Sequence, residues 1–210
     1  MSSTTSTAKF WDRAAAKYAK SQIKNIPAYE ATLERVKGYL KPTDTVLEFG
    51  CGTGSTALLL ADSVAQYTAS DISPNMIEIA RGKSVGAELK NLEFTVAPVI
   101  DAPFALGSFD AVLGFNILHL VEDLPGTLGW LHQVLKPGGL LISKSACLRE
   151  MNPVLRLILP VMQWVGFAPY VGTFDSDALE QSVRDAGFEI VESRVFDGAK
   201  AARFIVARKI

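Results

Sequence analysis

The sequence predicts an α/β protein, a doubly wound and mostly parallel sheet closed by an antiparallel hairpin. Three observations carry that expectation. Short apolar runs alternate with helical patterns over residues 45–143, the rhythm of strand–helix–strand units whose strands lie parallel. The run Val46-Leu47-Glu48-Phe49 breaks abruptly into Gly50-Cys51-Gly52-Thr53-Gly54, a strand handed to a helix through a tight glycine turn. Two β-rich segments near the end, Glu189 to Phe196 and Ala202 to Arg208, are joined by the short Asp197-Gly198-Ala199-Lys200, which suits a hairpin.

Taken in order, residues 1–8 read as a Ser/Thr-rich disordered tail and residues 9–210 as a single domain. Helical patterns cover Lys9 to Ala19, with Phe10, Trp11 and Tyr18, and Pro27 to Tyr39. After the turn Lys41–Asp44, a first strand runs from Thr45 to Glu48 and a helix from Ser55 to Ala61. A second strand, Gln66 to Ser70, leads to Ser73-Pro74, a cap followed by proline at the first helical position. Leu92 to Val96 and Phe109 to Phe115 are the third and fourth strands. A helix from Asp123 to Leu135 is stopped by Lys136-Pro137-Gly138-Gly139, before a fifth strand, Leu140 to Ser143. A last helix, Ser176 to Ala186, ends at Gly187 ahead of the hairpin, so the strands number seven.

The 210 residues suffice for one sizeable core, and 49% of them are hydrophobic. Net charge is −1, with no basic stripe, which argues against a nucleic-acid partner. Cys51 and Cys147 lack metal-ligand or redox-pair spacing, so no metal site is expected. The polar N-terminus has no apolar signal core, and the apolar stretch Val154 to Ala168 is broken by Arg156, Pro160 and Gln163. A cytoplasmic protein without a membrane span is the expectation.

Ligands of such sheets sit beyond the carboxyl ends of the strands. There the glycine turn meets Asp71, at the end of the second strand and placed to accept ribose hydroxyls. A dinucleotide fingerprint fits only in part, because Ser55 stands where the third glycine belongs. Glu48 beside the loop disfavours a pyrophosphate and favours a nucleoside that carries an ammonium or sulfonium.

Glu48-x-Gly50-x-Gly52-x-Gly54 with Asp71 resembles the cofactor signature of class I S-adenosylmethionine-dependent methyltransferases, a Rossmann-like fold. The resemblance continues in Ser108-Phe109-Asp110, Asn116-Ile117-Leu118-His119 and Leu135-Lys136-Pro137-Gly138-Gly139. It is closest to the small-molecule branch of the ubiquinone and menaquinone biosynthesis type. It implies that S-adenosylmethionine is the cofactor and S-adenosylhomocysteine the product. By position, the backbones of Gly50, Cys51 and Gly52 would line the methionine moiety, and Glu48 would support its amino end. Asp71 would hold the ribose; Ile72 and Met76 would pack on the adenine, with Val99 and Ile100 at its other face or edge. Asn116 and Ile117 would contact the methionine portion, and Tyr18 resembles a position that closes over the cofactor. Where the family often carries Gly-Asp after the third strand, this chain has Ala97-Pro98-Val99, with Asp101 a later substitute.

The acceptor is expected to be small and apolar or aromatic. His119 is the candidate general base, weighed against a structural role in its loop. Leu148 to Phe174, rich in Leu, Ile, Val and aromatics, is expected to form a cap inserted over 148–174, with Arg149, Trp164 and Tyr170 as candidate acceptor contacts. The same segment could instead serve as a homodimer interface or a membrane-touching patch. Two rivals stay open: an NAD(P)-dependent oxidoreductase, and a non-catalytic protein that binds S-adenosylmethionine.

Overall fold

A computed structural model describes residues 3–150, 158, 163, 168–196 and 202–210. Its strands, β1 (Thr45–Phe49), β2 (Gln66–Asp71), β3 (Leu92–Val96), β4 (Phe109–Phe115), β5 (Leu135–Ala146), β6 (Phe188–Arg194) and β7 (Ala202–Lys209), form one seven-stranded sheet. The order is β3-β2-β1-β4-β5-β7-β6. β1 to β5 pair in parallel, while β7 runs antiparallel to both β5 and β6. The doubly wound, mostly parallel sheet is therefore as expected, and the two last strands pair as a hairpin does. Their connection lies outside the described residues.

Alternate residues of β1 feed two cores. Val46 packs with α2 (Ile26–Lys37), α3 (Ser55–Leu60) and α4 (Pro74–Ser84), while Leu47 and Phe49 pack with α5 (Leu124–Val134) and α6 (Ser176–Asp185). Strands buried on both faces explain the unbroken apolar runs. Chain order reverses between β1 and β4, and the carboxyl ends of these two strands open the crevice where ligands collect.

Two expectations are corrected. The tail is not disordered over residues 3–8: the first helix, α1 (Ser3–Ala19), already starts at Ser3. Once a helix is nucleated each further residue adds a hydrogen bond, so polar Ser and Thr extend it at little cost. Lys136-Pro137-Gly138-Gly139 does not separate helix from strand; it is a bulge inside β5, with Leu135 opposite Phe109 and Leu140 opposite Ala111. Gly138 takes φ +74°, which lets the strand step over the extra residues and resume pairing. Beneath the bulge, Asp110 accepts from the Thr45 N–H at 2.8 Å and pairs with Lys136 at 2.7 Å. These motif residues hold the sheet at its far end from the crevice.

Candidate active site

The turn after β1 is made by backbone. Gly50, Gly52 and Gly54 have φ of +63°, +54° and +73°, a region that side chains resist. A Cβ on Gly50 would lie 2.6 Å from Ile117 Cγ1, and one on Gly54 2.7 Å from the Phe94 ring. The Cys51 N–H donates to the Ser70 carbonyl at 2.9 Å, and the Gly54 N–H to the Cys51 carbonyl at 3.1 Å. Asp71 at the end of β2 accepts from the Gly52 N–H through Oδ2 and from the Ser73 N–H through Oδ1, both at 2.9 Å. A carboxylate has about four acceptor positions, so each oxygen keeps room for a hydroxyl. Burial raises the Asp71 pKa, and the two backbone N–H bonds oppose that rise.

A cavity of about 830 Å³ opens above this turn, toward the upper end of the range typical of small-molecule sites. Of the residues predicted to hold the cofactor, Tyr18, Gly50, Gly52, Asp71, Ile72, Met76, Val99, Ile100, Asn116 and Ile117 all lie on its wall, as does His119. Asn116 adopts φ +57° at the end of β4, a conformation few residues other than glycine tolerate. Asp101, also at positive φ (+59°), reaches the wall after Pro98.

Glu48 and Cys51 are not on this wall. Glu48 points into the core under the turn, where its Oε2 accepts from the Tyr67 hydroxyl at 2.8 Å. Burial pushes its carboxyl up to about 8, the Tyr67 bond pulls it down, and nearby Asp71 adds to the rise. Arg149 pairs with Asp175 at 3.4 Å and Tyr170 is exposed, both away from the cavity wall, and Trp164 lies outside the described residues. The chain nevertheless returns to the crevice, for the Gly172 N–H donates to the His119 carbonyl at 2.7 Å.

Sequence reading missed part of the wall. Thr5, Thr7 and Trp11 come from α1, Phe115 from the end of β4, Leu120 and Val121 from the 3₁₀ turn Leu118–Leu120 and the residue after it, and Thr127 from α5. The signal for α1 was available: Thr7, Trp11 and Tyr18 recur at helical spacing on one stripe. Glu122 and Asp123 also reach the wall, and Asp123 caps α5 by accepting from the Gly126 N–H at 2.9 Å.

Among the described residues the wall carries four acids, Asp71, Asp101, Glu122 and Asp123, and no Lys or Arg. A pyrophosphate has no cation to meet there, whereas a cationic nucleoside is attracted. The fold and the wall thus define a nucleoside-binding α/β protein whose ligand brings its own positive charge.

Comparison with known proteins narrows this further. The model of the methyltransferase domain family matches residues 18–193. A demethylmenaquinone methyltransferase of Symbiobacterium thermophilum is 31% identical over 180 residues, 71% of this chain and 70% of that protein. Among solved structures, a geranyl diphosphate C-methyltransferase from Streptomyces coelicolor, in complex with S-adenosyl-L-homocysteine, superposes with a TM-score of 0.74 at 12% identity, covering 100% of this chain and 98% of that one. An S-adenosylmethionine-dependent methyltransferase from Mesorhizobium loti gives 0.72 at 17% identity, covering 88% and 99%. The chain belongs to the class I S-adenosylmethionine-dependent methyltransferases. It is an enzyme with S-adenosylmethionine as its cofactor.

Proposed function

We propose that this enzyme methylates a small, apolar or aromatic acceptor of the hydroquinone type. One observation carries the reading. Beyond the cofactor residues, the wall carries the apolar Trp11, Phe115, Leu120 and Val121 beside the polar groups of Thr5, Thr7, His119, Glu122, Asp123 and Thr127. A flat ring bearing one or two hydroxyls suits such a surface. The name of the Symbiobacterium relative, a demethylmenaquinone methyltransferase, lends the same class of acceptor.

In this reading the backbones of Gly50 and Gly52 hold the methionine part, Asp71 the ribose hydroxyls, and Ile72, Met76 and Val99 the adenine, with Asp101 beside its amine. Glu48 acts from below the turn, a buried carboxyl that stays protonated in the free protein up to about pH 8 and that the cofactor's positive charge helps to ionise. When bound, the cofactor supplies an activated methyl on a sulfonium, so the protein's work is orientation and exclusion of water. Ile117 and Tyr18 shield the reacting centre. His119 receives the acceptor's hydroxyl proton. Burial pushes its imidazole down to about 4, which keeps the ring neutral at pH 7 and makes it a weak base, one that takes the proton only as the oxygen's bond to the methyl forms. Its buried Nδ1 has no hydrogen-bond partner among the described residues.

For the oxidoreductase alternative the described residues of the wall offer no cation to a dinucleotide, and the near-neutral chain supports a small acceptor over nucleic acid. No helix among the described residues is long and apolar enough to cross a membrane, which is compatible with a cytoplasmic enzyme. A homodimer through the apolar cap would involve residues 148–174, of which 151–157, 159–162 and 164–167 lie outside the described residues.

The test offers methyl-labelled S-adenosylmethionine with a naphthohydroquinone, a simple phenol or an aliphatic amine. Label is expected in the hydroquinone, and His119→Ala should slow that transfer about 100-fold, the usual worth of a positioned base. Label in the amine alone would overturn the reading.

A further inference from the structure

Helix α1 supplies Thr5, Thr7, Trp11 and Tyr18 to the cavity wall, yet little apolar packing fixes it. Ala15 is its one buried side chain among the described residues. The helix meets the rest of the protein along α4. Asp12 sits about 100° around the helix from Trp11, so one face can address the cavity while the next addresses α4.

The contacts at that seam are specific. Asp12 Oδ1 accepts from the Ser73 hydroxyl at 2.6 Å and from the Asn75 N–H at 3.1 Å, and the Asn75 side chain donates to the Asp12 carbonyl at 3.2 Å. Ser73 is the N-cap of α4; its hydroxyl oxygen accepts from the Met76 N–H at 3.1 Å. The N–H of the same Ser73 donates to Asp71 Oδ1. Residues 73–76 therefore join the carboxylate assigned to the ribose, the Met76 side of the cavity and helix α1. At the other end of α4, the Lys83 ammonium reaches the Thr53 and Ser55 hydroxyls at 2.7 and 3.0 Å, tying that end to the glycine turn. Helix α4 is thus held to the turn at one end and to α1 at the other.

We infer that Asp12 is a positioning residue, the latch that docks α1 on the N-terminus of α4 and so couples closure of the cavity to cofactor binding. The Tyr18 ring lies where it would cover the Gly52 backbone, 3.5 Å from the position of a Cβ there. A ligand held between them favours the docked helix, and by reciprocity the docked helix favours the ligand. Asp12 also bears on Asp71 electrostatically, since its charge adds to the rise in that carboxyl's pKa. A bound ligand with positive charge relieves the crowding of the two acids and strengthens the latch. The inference rests on the cofactor and not on the identity of the acceptor.

The experiment measures S-adenosylhomocysteine affinity by calorimetry, and amide exchange over residues 3–19 with that ligand bound. Asp12→Ala is expected to raise Kd about tenfold and speed exchange in residues 3–19 by a similar factor, as loss of charge-assisted bonds would. Protection of β1 and β4 should not change. Asp12→Asn, which keeps the accepting oxygen, should return Kd to within about threefold of the wild type. Wild-type affinity and exchange in Asp12→Ala would overturn the proposal. Should Asp12→Ala lose protection in β1 and β4 as well, Asp12→Asn decides. Recovery of both readouts supports the latch, and failure of both marks Asp12 as a general fold residue.

Discussion

On the β1–β2 side of the cavity a ligand meets backbone; on the side of β4 and α5 it meets side chains. Gly50 and Gly52 present main chain at positive φ, and Asp71 is fixed by two N–H bonds before any ligand arrives. Elsewhere on the wall, Leu120, Val121 and Thr127 come from a 3₁₀ turn and α5, and Trp11 from α1, elements that meet only in three dimensions. In the proposed reading the first side holds the cofactor and the second the acceptor, with part of the wall on a helix docked through polar contacts at Asp12. Cofactor recognition is accordingly rigid and local, while acceptor recognition can drift by exchanging side chains without disturbing the turn.

Three perturbations separate the sides. The largest effect is expected from Gly50→Ala. The new methyl would meet Ile117 at 2.6 Å in a strained backbone, so S-adenosylhomocysteine affinity should fall more than about 100-fold in calorimetry. A loss below about threefold would mean the turn is softer than its geometry indicates.

Trp11→Ala should act mainly on the proposed acceptor side, with a small effect through the Tyr18 ring it meets edge to face. It removes a large ring from the acceptor wall while leaving Asp12 in place. The KM for the hydroquinone is expected to rise about tenfold, with S-adenosylhomocysteine affinity within about twofold of the wild type. Equal losses in both would mean that the ring supports the cofactor too.

The smallest effect concerns Glu48. Its folded pKa of about 8 lies above the ordinary carboxyl value, so the folded protein holds a proton that the unfolded chain has released. The associated stability is complete below about pH 4.5 and is lost as pH rises through about 8. The Tm of the ligand-free wild type should therefore fall between pH 6.5 and 8.5, a window above the titration of His119. Glu48→Gln should flatten that slope, and an unchanged slope would place the titrating group elsewhere.

The same contrast explains what the sequence disclosed. Gly50, Gly52 and Asp71 lie within one strand–turn–helix–strand unit, so their spacing alone brings them together. The ends of the strands were legible because runs such as Val46–Phe49 are buried on both faces. Trp11 resembled any packing residue, since its wall partners Leu120 and Thr127 lie more than a hundred positions along the chain. Glu48 was legible as an acid at the turn, but strand alternation turns it away from the cavity and into the core with Tyr67. The bulge at Lys136–Gly139 read as a stop because only tertiary pairing with Phe109 and Ala111 shows that the strand continues. Ser3 to Ala8 read as tail because composition does not register the propagation of an existing helix.

The position of β7 bears on how the enzyme is made. Phe204, Ile205, Val206 and Ala207 are fully buried, and β7 lies between β5 and β6. During synthesis β6 therefore leaves the ribosome before the strand that joins it to the sheet. Until β7 follows, the open edge of β5 is a surface for mispairing and a substrate for chaperones. The glycine turn lies more than a hundred residues earlier, yet the sheet that carries it is complete only once β7 has been translated.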